Sequence, residues 1–519
     1  TMPEVLLRTA MRFPDCEALV FMGKKIKYRE LEELVSRFAQ ALIDIGVKAG
    51  DRVALLLPNM PQFVIANYAA QRIGAVTVLH NPLCPEEELI DRFAGDDCAA
   101  LVTLDLLFPL ALTLKEKTGV RSIIACHVTD YLPFPGNKLL PYIHSALYHK
   151  IAPAPGIYEF LPLIDRYPAK PLENEARWEE VATVIYTDGV TKTSKGVALT
   201  HANISCNTHQ LRAWFPDTQD GQERVLAVFP FFHSAGLIGI QHLSVLAGWS
   251  DILIPHPEPR AVLEVVKKAK PTLLPVLPVL HHILLIRDEF RKLNFSSLKG
   301  FLTGTAPVHA MTIEELRSIR PVPVITAYGL TEISWVGTAT PWGVVDKPGT
   351  VGVPLPGTDL RIVDAETGTR ELPIGEAGEV CFRGPQVMQG YDRNPAATAQ
   401  VLKEGWLFSG DIGSLDEDGY LTILGRKTDV IIVNGRPVHP EEIDAVLATH
   451  PNVFEACTIG IPGDDGGEKL KAYVTLKPRQ TAREGELIGH CREKLPPDKV
   501  PESIEFIDGL PKSALGHVS

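Results

Sequence analysis

Residues 184–201 read VIYTDGVTKTSKGVALTH. An apolar run, residues 181–185, has the β-branched character of a buried strand and stops at a cluster of Thr, Gly, Ser and Lys, after which a helix-like segment follows. A loop whose backbone amides converge on a phosphate needs glycines for close approach, hydroxyls as further donors and a lysine as counter-charge. Thr187, Gly189, Thr191, Lys195 and Gly196 supply that set. The loop is not a Walker A sequence, because G-x-x-x-x-G-K-[ST] does not fit. Asp188 is out of keeping, since an acid inside such a loop repels the anion it would hold. Taken alone, the stretch reads equally well as an exposed polar turn.

Outward from that strand, helical and strand patterns alternate. Leu31, Leu34, Val35, Phe38, Leu42 and Ile45 recur at helical spacing and stop at Gly46. Residues 53–57, 75–79, 99–104 and 122–126 read as strands, with a helix-like stretch over 63–73. This order predicts layered α/β architecture. Prolines and aromatics break the pattern between residues 133 and 171, which reads as a surface excursion. Residues 363–383 alternate as strands around a turn and predict a smaller β-rich subdomain. From residue 430 the chain starts afresh as strand, helix and two strands, a separate α+β lobe of domain size.

With 519 residues the chain exceeds what one hydrophobic core usually serves. Its composition, 45% apolar and 22% charged, is that of a folded globular protein. A net charge of −12 argues against nucleic acid or an anionic membrane as the main partner, leaving room for local basic patches. The eight cysteines include no C-x-x-C pair, so they read as reduced thiols rather than zinc ligands or a disulfide framework. No stretch has the length of a membrane span, and the N-terminus lacks a signal-peptide layout, which makes the cytoplasm the expected compartment. Thr1 reads as a residue added ahead of the start methionine.

Five further motifs follow in order: FLTGTAPV (301–308), ITAYGLTEIS (325–334), GWLFSGDIG (405–413), GRKTDVIIVNGRPVHPEEID (425–444) and LPKSALGHV (510–518). With the opening loop they resemble the motif series of the adenylate-forming superfamily, which includes acyl-CoA synthetases, peptide-synthetase adenylation domains and luciferases. The resemblance covers nearly the whole chain from about Tyr28, and LPFPGNKLLP (132–141) looks most like the fatty-acyl-CoA ligases. It implies an α/β fold: a large multi-subdomain N-terminal domain over residues 1–425, of layered α/β sheets plus the β-rich subdomain. A small mobile α+β C-terminal domain over 426–519 would turn on a hinge near Thr428.

The resemblance also implies a chemistry with two halves. A carboxylate attacks the α-phosphate of ATP to give an acyl-adenylate and pyrophosphate; the C-terminal lobe then rotates, and the thiol of CoA, or of a carrier-protein pantetheine, attacks the mixed anhydride. By position, Gly304, Thr305, Ala306 and Pro307 would flank the adenine and acyl group. Tyr328 would stack on the base beside Gly329, Thr331 would meet the α-phosphate, and Glu332 would hold Mg²⁺ when ATP is used. Asp411 and Arg426 would bind the ribose hydroxyls, with Asn434, Gly435 and Arg436 on the CoA side. Phe232, His233, Gly236 and Leu237 would form the acyl pocket, His233 being equally well a satisfied core side chain. Each has a plainer reading: Tyr328 as core, Asp411 as a turn residue, Glu332 as a helix N-terminal acid. Together the plainer readings lose. His281 and His282 read as structural.

Two departures stand out. The family loop reads approximately Y-T-S-G-T-T-G-x-P-K-G, whereas here Asp188 replaces serine, Val190 a threonine and Lys192 a glycine. The family's C-terminal P-K-[ST]-x-x-G-K ends in a lysine that stabilises charge during adenylation, and this chain has His517 there, shorter and mostly neutral at pH 7. Lys512 already occupies a lysine position of that pattern with another task. Both departures fall on the ATP half of the reaction. The expected activity is therefore thioester formation from an acyl-adenylate of a hydrophobic acid and CoA, with a separate enzyme supplying the adenylate. A complete ATP-dependent ligase and a non-catalytic binder of acyl-AMP or acyl-CoA are the alternatives.

Overall fold

The computed structural model describes residues 1–519 except 144–147, 171, 188–193, 305–307, 309, 345–346, 434–435, 463–467 and 512–519, and except the side chains at 141, 143, 278, 279, 281, 282, 310 and 311. His281 and His282 thus fall outside the described side chains. Two large sheets dominate. One is a run of six mutually parallel strands in the order Val324–Tyr328, Gly300–Gly304, Leu273–Pro275, Arg224–Ala227, Ser250–Leu253 and Glu17–Phe21, extended by antiparallel strands at both ends. The other places Val181–Tyr186, Val76–Leu79, Arg52–Leu56, Cys98–Leu104, Ser122–Cys126 and Ile157–Glu159 side by side and parallel.

Strand alternation explains how these layers stack. Val53 and Leu55 face the main core, while Ala54 and Leu56 face a second core built with Phe93, Phe108 and Leu114 from the Glu86–Asp96 and Phe108–Thr118 helices. A parallel sheet buried on both faces needs such an unbroken apolar run. The Tyr28–Asp44 helix carries the predicted stripe, with Leu31, Val35, Phe38 and Leu42 fully buried. At its start the buried Tyr28 hydroxyl lies 2.6 Å from the Trp249 carbonyl and 2.9 Å from that of Ser244, pinning the helix to the other sheet's connections.

Two expectations are corrected. The opening loop is followed by a strand, Gly196–Thr200, which pairs antiparallel with Val181–Tyr186; the helix begins only at His201. The delay is local chemistry: the Thr200 hydroxyl accepts from Asn203 N (3.1 Å) and the Asn203 amide oxygen accepts from Thr200 N (3.0 Å), a reciprocal cap that fixes the helix start. The stretch 133–171 is not all surface, because Phe160–Ile164 is a short helix whose fully buried Phe160 lies 4.8 Å from the Phe38 ring.

The β-rich part is a five-stranded antiparallel sheet containing Asp359–Val363, Gly378–Arg383, Trp406–Leu415 and Leu421–Arg426. A smaller C-terminal lobe follows, in which Val453–Pro462, Glu468–Leu476 and Ser503–Phe506 form one sheet under the Pro440–Ala448 and Glu484–Arg492 helices. It has its own core of Ile443, Leu447, Val474, Leu487 and Cys491. All eight cysteines are free of disulfides. Among the described residues no helix is long and apolar enough to cross a membrane.

Replacing Tyr28 by Phe removes the hydroxyl that the buried Trp249 carbonyl accepts from, while the Ser244 carbonyl keeps the Trp249 amide. The expected cost is about 1–3 kcal/mol, read as a lower urea midpoint with the chemistry of the distant site unchanged.

Candidate active site

The strands Val181–Tyr186, Gly300–Gly304 and Val324–Tyr328 all end at the same rim, the carboxyl edge where open α/β sheets hold ligands. Beyond Tyr328 the chain must turn back sharply. A Cβ at Gly329 would stand 1.7 Å from the Trp335 carbonyl oxygen, so only glycine permits the approach. A single turn of 3₁₀ helix, Thr331–Ile333, then carries Thr331 and Glu332 onto the rim.

On one side of that rim Asp411 ties three strands together. The Tyr328 hydroxyl donates to Asp411 Oδ2 at 2.5 Å, and Arg426 Nε lies 3.0 Å from Asp411 Oδ1. Arg426 reaches it because residues 411 and 426 face each other across paired antiparallel strands. Burial pushes the Asp411 carboxyl up, while Arg426 and the Tyr328 hydroxyl pull it back towards the ionised form. A carboxylate has about four lone-pair sites, so one holding Tyr328 and Arg426 can still accept from vicinal hydroxyls. That chemistry fits a ribose.

The opposite side is built around Tyr391. Its hydroxyl donates to Glu332 Oε1 at 2.9 Å, and Lys195 Nζ stands 4.7 Å from the centre of its ring. Lys195 itself is held by the loop's first turn: Thr187 N donates to the Lys195 carbonyl (3.0 Å), and Lys195 N to the Thr187 hydroxyl (3.3 Å). The hydroxyls of Thr331 and Ser234 lie 3.3 Å apart. Among the described residues no three His, Cys, Asp or Glu side chains gather as a metal site. Mg²⁺ is commonly held by one or two carboxylates plus substrate phosphates, which suits Glu332 alone.

His233 Nδ1 accepts from Ala235 N at 3.1 Å, capping the short helix that carries Gly236. Burial pushes its pKa down to about 4, so it is neutral near pH 7 and is no proton donor there. A Cβ at Gly236 would lie 2.0 Å from the Pro230 carbonyl oxygen. Leu237 opens a π-helical stretch and is buried, and Phe232 packs at the edge of the main core. Arg436 sits on the C-terminal lobe, exposed, with Nη1 3.7 Å from Asp498. Thr428 donates to the Asp429 carboxylate at 2.8 Å in the turn after strand Leu421–Arg426. Thr305, Ala306, Pro307, Asp188, Gly189, Thr191, Lys192, Asn434, Gly435, Lys512 and His517 lie outside the described residues.

Sequence reading missed the support beneath Tyr391. Arg52 donates both terminal nitrogens to Asp392, at 2.7 and 2.8 Å, across 340 positions. Arg52 also lies 3.8 Å from Asp96, which accepts from the Tyr186 hydroxyl at 2.6 Å and stands 3.1 Å from His80. This largely buried network clamps the strand that enters the loop, its exit at Gly196, where Asp392 N donates to the Gly196 carbonyl, and the Tyr391 segment. GYDRNP (390–395) was the available signal, but nothing local marks Asp392 as a partner of Arg52.

A rim of this kind, facing a β-rich sheet and followed by a small separate lobe, is the layout of an adenylate-forming acid–thiol ligase. A family model described as AMP-binding enzyme matches residues 6–392, and one described as AMP-binding enzyme C-terminal domain matches residues 442–517. The chain belongs to the AMP-binding enzyme family. A long-chain-fatty-acid–CoA ligase of Bacillus subtilis is 38% identical over 100% of this chain and 93% of its own length, and one of Yersinia pestis is 34% identical over 99% and 92%. Among solved structures, ATP-bound MatB from Rhodopseudomonas palustris superposes with a TM-score of 0.87 at 27% identity, covering 99% of this chain and 97% of its own. O-succinylbenzoate coenzyme A synthetase (MenE) from Bacillus subtilis, in complex with AMP, gives 0.80 at 25% identity, covering 99% and 97%.

Two substitutions test the rim. Asp411→Ala removes the acceptor of both Tyr328 and Arg426 and is expected to weaken AMP binding by about 100-fold, roughly 3 kcal/mol, in titration calorimetry. Gly329→Ala forces the turn open, and both AMP affinity and melting temperature are expected to fall together.

Proposed function

We propose that this chain joins the acyl group of a hydrophobic acyl-adenylate to CoA, and that its own ATP-dependent adenylation is impaired. One observation supports the reading: Tyr328, Asp411 and Arg426 meet at the rim in an arrangement suited to a ribose, while the sequence puts a carboxylate, Asp188, into the loop. At about 4 Å and an effective dielectric near 20, that charge opposes one phosphate charge by about 4 kcal/mol. A lysine in the sequence at 192, where the family loop has glycine, would offset part of this charge. His517, at the family's lysine position, withdraws a cation from the same step, a loss typically of about a hundredfold to a thousandfold in rate.

In the remaining half-reaction the thiol sulfur of CoA bonds to the acyl carbonyl carbon, and the bond from that carbon to the phosphate oxygen breaks. AMP leaves and the thiol proton is released. Tyr328, Asp411 and Arg426 hold the departing nucleotide, Thr331 faces its phosphate, and Phe232, Gly236 and Leu237 enclose the acyl group. His233, neutral and already capping a helix, acts by shape. The lobe beyond Thr428 rotates about that hinge to bring Asn434, Gly435 and Arg436 to the thiol channel, leaving Arg426 with the β-rich sheet. No triphosphate enters this half, so Asp188 is tolerable. A separate adenylating enzyme then supplies the acyl-adenylate, and a carrier-protein pantetheine is an acceptor of the same chemistry.

A complete ligase is the second reading. It is favoured by the full-length likeness to relatives named long-chain-fatty-acid–CoA ligases and to a structure with ATP bound. In that case Glu332 holds Mg²⁺ against the phosphates.

Parallel incubations decide between them: free acid, ATP, Mg²⁺ and CoA in one, synthetic acyl-AMP and CoA in the other. Thioester in the second alone is the expected result. Thioester at comparable rates in both establishes the complete ligase, and thioester in neither leaves a binding protein. Asp188→Ser with His517→Lys is expected to raise acid-dependent pyrophosphate release by at least about tenfold; no change would sink the account of the two departures.

A further inference from the structure

Where the C-terminal lobe meets the β-rich sheet, Glu441 in the first turn of the Pro440–Ala448 helix lays its carboxyl group over Gly425 of the Leu421–Arg426 strand. A Cβ at Gly425 would stand 2.1 Å from Oε2 and 2.6 Å from Oε1, and its φ of +137° is a conformation that favours glycine. Thr428 lies between the two partners in the chain, so turning the lobe about that residue breaks the contact. Gly425 adjoins Arg426, whose side chain reaches Asp411 at the nucleoside rim.

The seat is poor for a charge. Glu441 Oε2 is buried with no hydrogen-bond partner among the described residues. Asp429 follows the hinge, Asp411 stands on the neighbouring strand, and Asp444 lies a turn along the same helix, its Oδ1 accepting from the Thr458 hydroxyl at 2.6 Å. Burial pushes the Cys457 thiol up and the His439 imidazole down, so both are neutral near pH 7. The cations of the adjoining segments are engaged: Arg426 with Asp411, Lys427 with Glu379, and Lys499 with Glu442. Burial pushes the pKa of Glu441 up to about 7, against the pull of the Glu441 and Arg426 backbone N–H groups, and Asp429 and Asp411 add to the rise.

Neutral, the carboxyl group packs on Gly425 without electrostatic penalty; ionised, it is stripped of water there and faces Asp429 and Asp411. We propose that Glu441 is a positioning residue: seated on Gly425 it latches the lobe to the strand that carries Arg426, and loss of its proton frees the lobe to turn. In the freed lobe an exposed glutamate ionises at about 4.3. Between that pH and about 7 the latched form holds a proton that the freed form has lost, so rising pH favours release. Above about 7 both forms are ionised and the bias stays constant. The latch rests on the hinge at Thr428 proposed above and is independent of which half-reaction the chain performs.

Trypsin reads the latch, because Arg426 and Lys427 are cleavage points beside the hinge. Nicking of the native full-length chain there is followed from about pH 5.5 to about pH 8.5. Wild type, Glu441→Gln and Glu441→Ala are compared at each pH, so that the protease's own pH dependence cancels. Glu441→Gln stays uncharged and is expected to keep the latch throughout, whereas Glu441→Ala lacks it throughout. The wild type is expected to match the Gln variant at the acid end and to approach the Ala variant at the alkaline end, a relative rise of about tenfold or more. A wild-type-to-Gln ratio that stays flat across this range, with equal melting temperatures, overturns the latch. In that event AMP and CoA added at fixed pH tell the two readings apart: nicking that responds to them costs the latch alone, and nicking that does not costs the hinge as well.

Discussion

The carboxylate of Asp411 is the point on which the site turns. One oxygen accepts from Tyr328 at the end of a parallel strand, and the other faces Arg426 from the next strand of its own β-rich sheet. Taking a carboxylate out of water is costly unless its lone pairs are met. Here they are met by two groups that can satisfy it only if both sheets stand where they do. The same constraint that makes the charge tolerable therefore fixes the distance between the rim and the β-rich sheet, and the binding surface lies between them.

A second clamp acts on the phosphate side. Arg52 and Asp392 form a two-pronged ion pair next to Asp96, Tyr186 and His80, and so couple the entry and exit of the phosphate loop to Tyr391, which in turn holds Glu332. A loop that grips phosphate gains most from fixed backbone donors, because preorganised dipoles need no rearrangement when charge arrives. Strands Val181–Tyr186 and Gly196–Thr200 supply that frame here, and the sequence between them carries Asp188.

Much of the architecture was legible because it is written in short periods. The stripe from Leu31 to Ile45 and the apolar runs of the parallel strands repeat at 3.6 or form continuous buried segments, and the structure has elements at those places. The errors arose where local pattern was ambiguous. Residues 196–200 are too few to separate a strand from a helix start, and pairing with residues 181–186 decides the matter. Phe160 and Leu163 lie among prolines that suggest surface, and packing into the main core, with Phe160 against Phe38, makes that spot interior.

The sequence by itself determined the family, the alternation of helix and strand that makes the fold layered α/β, and the presence of Asp188 and His517, because residue identity and spacing are properties of the chain. Tertiary structure alone decided that Asp392 meets Arg52, that Tyr391 reaches Glu332, and that His233 spends a ring nitrogen on a helix cap. Hydrogen bonds reach about 3 Å, whereas the partners stand up to 340 positions apart. No local rule links such residues, and only the packing of sheet against sheet brings them within reach.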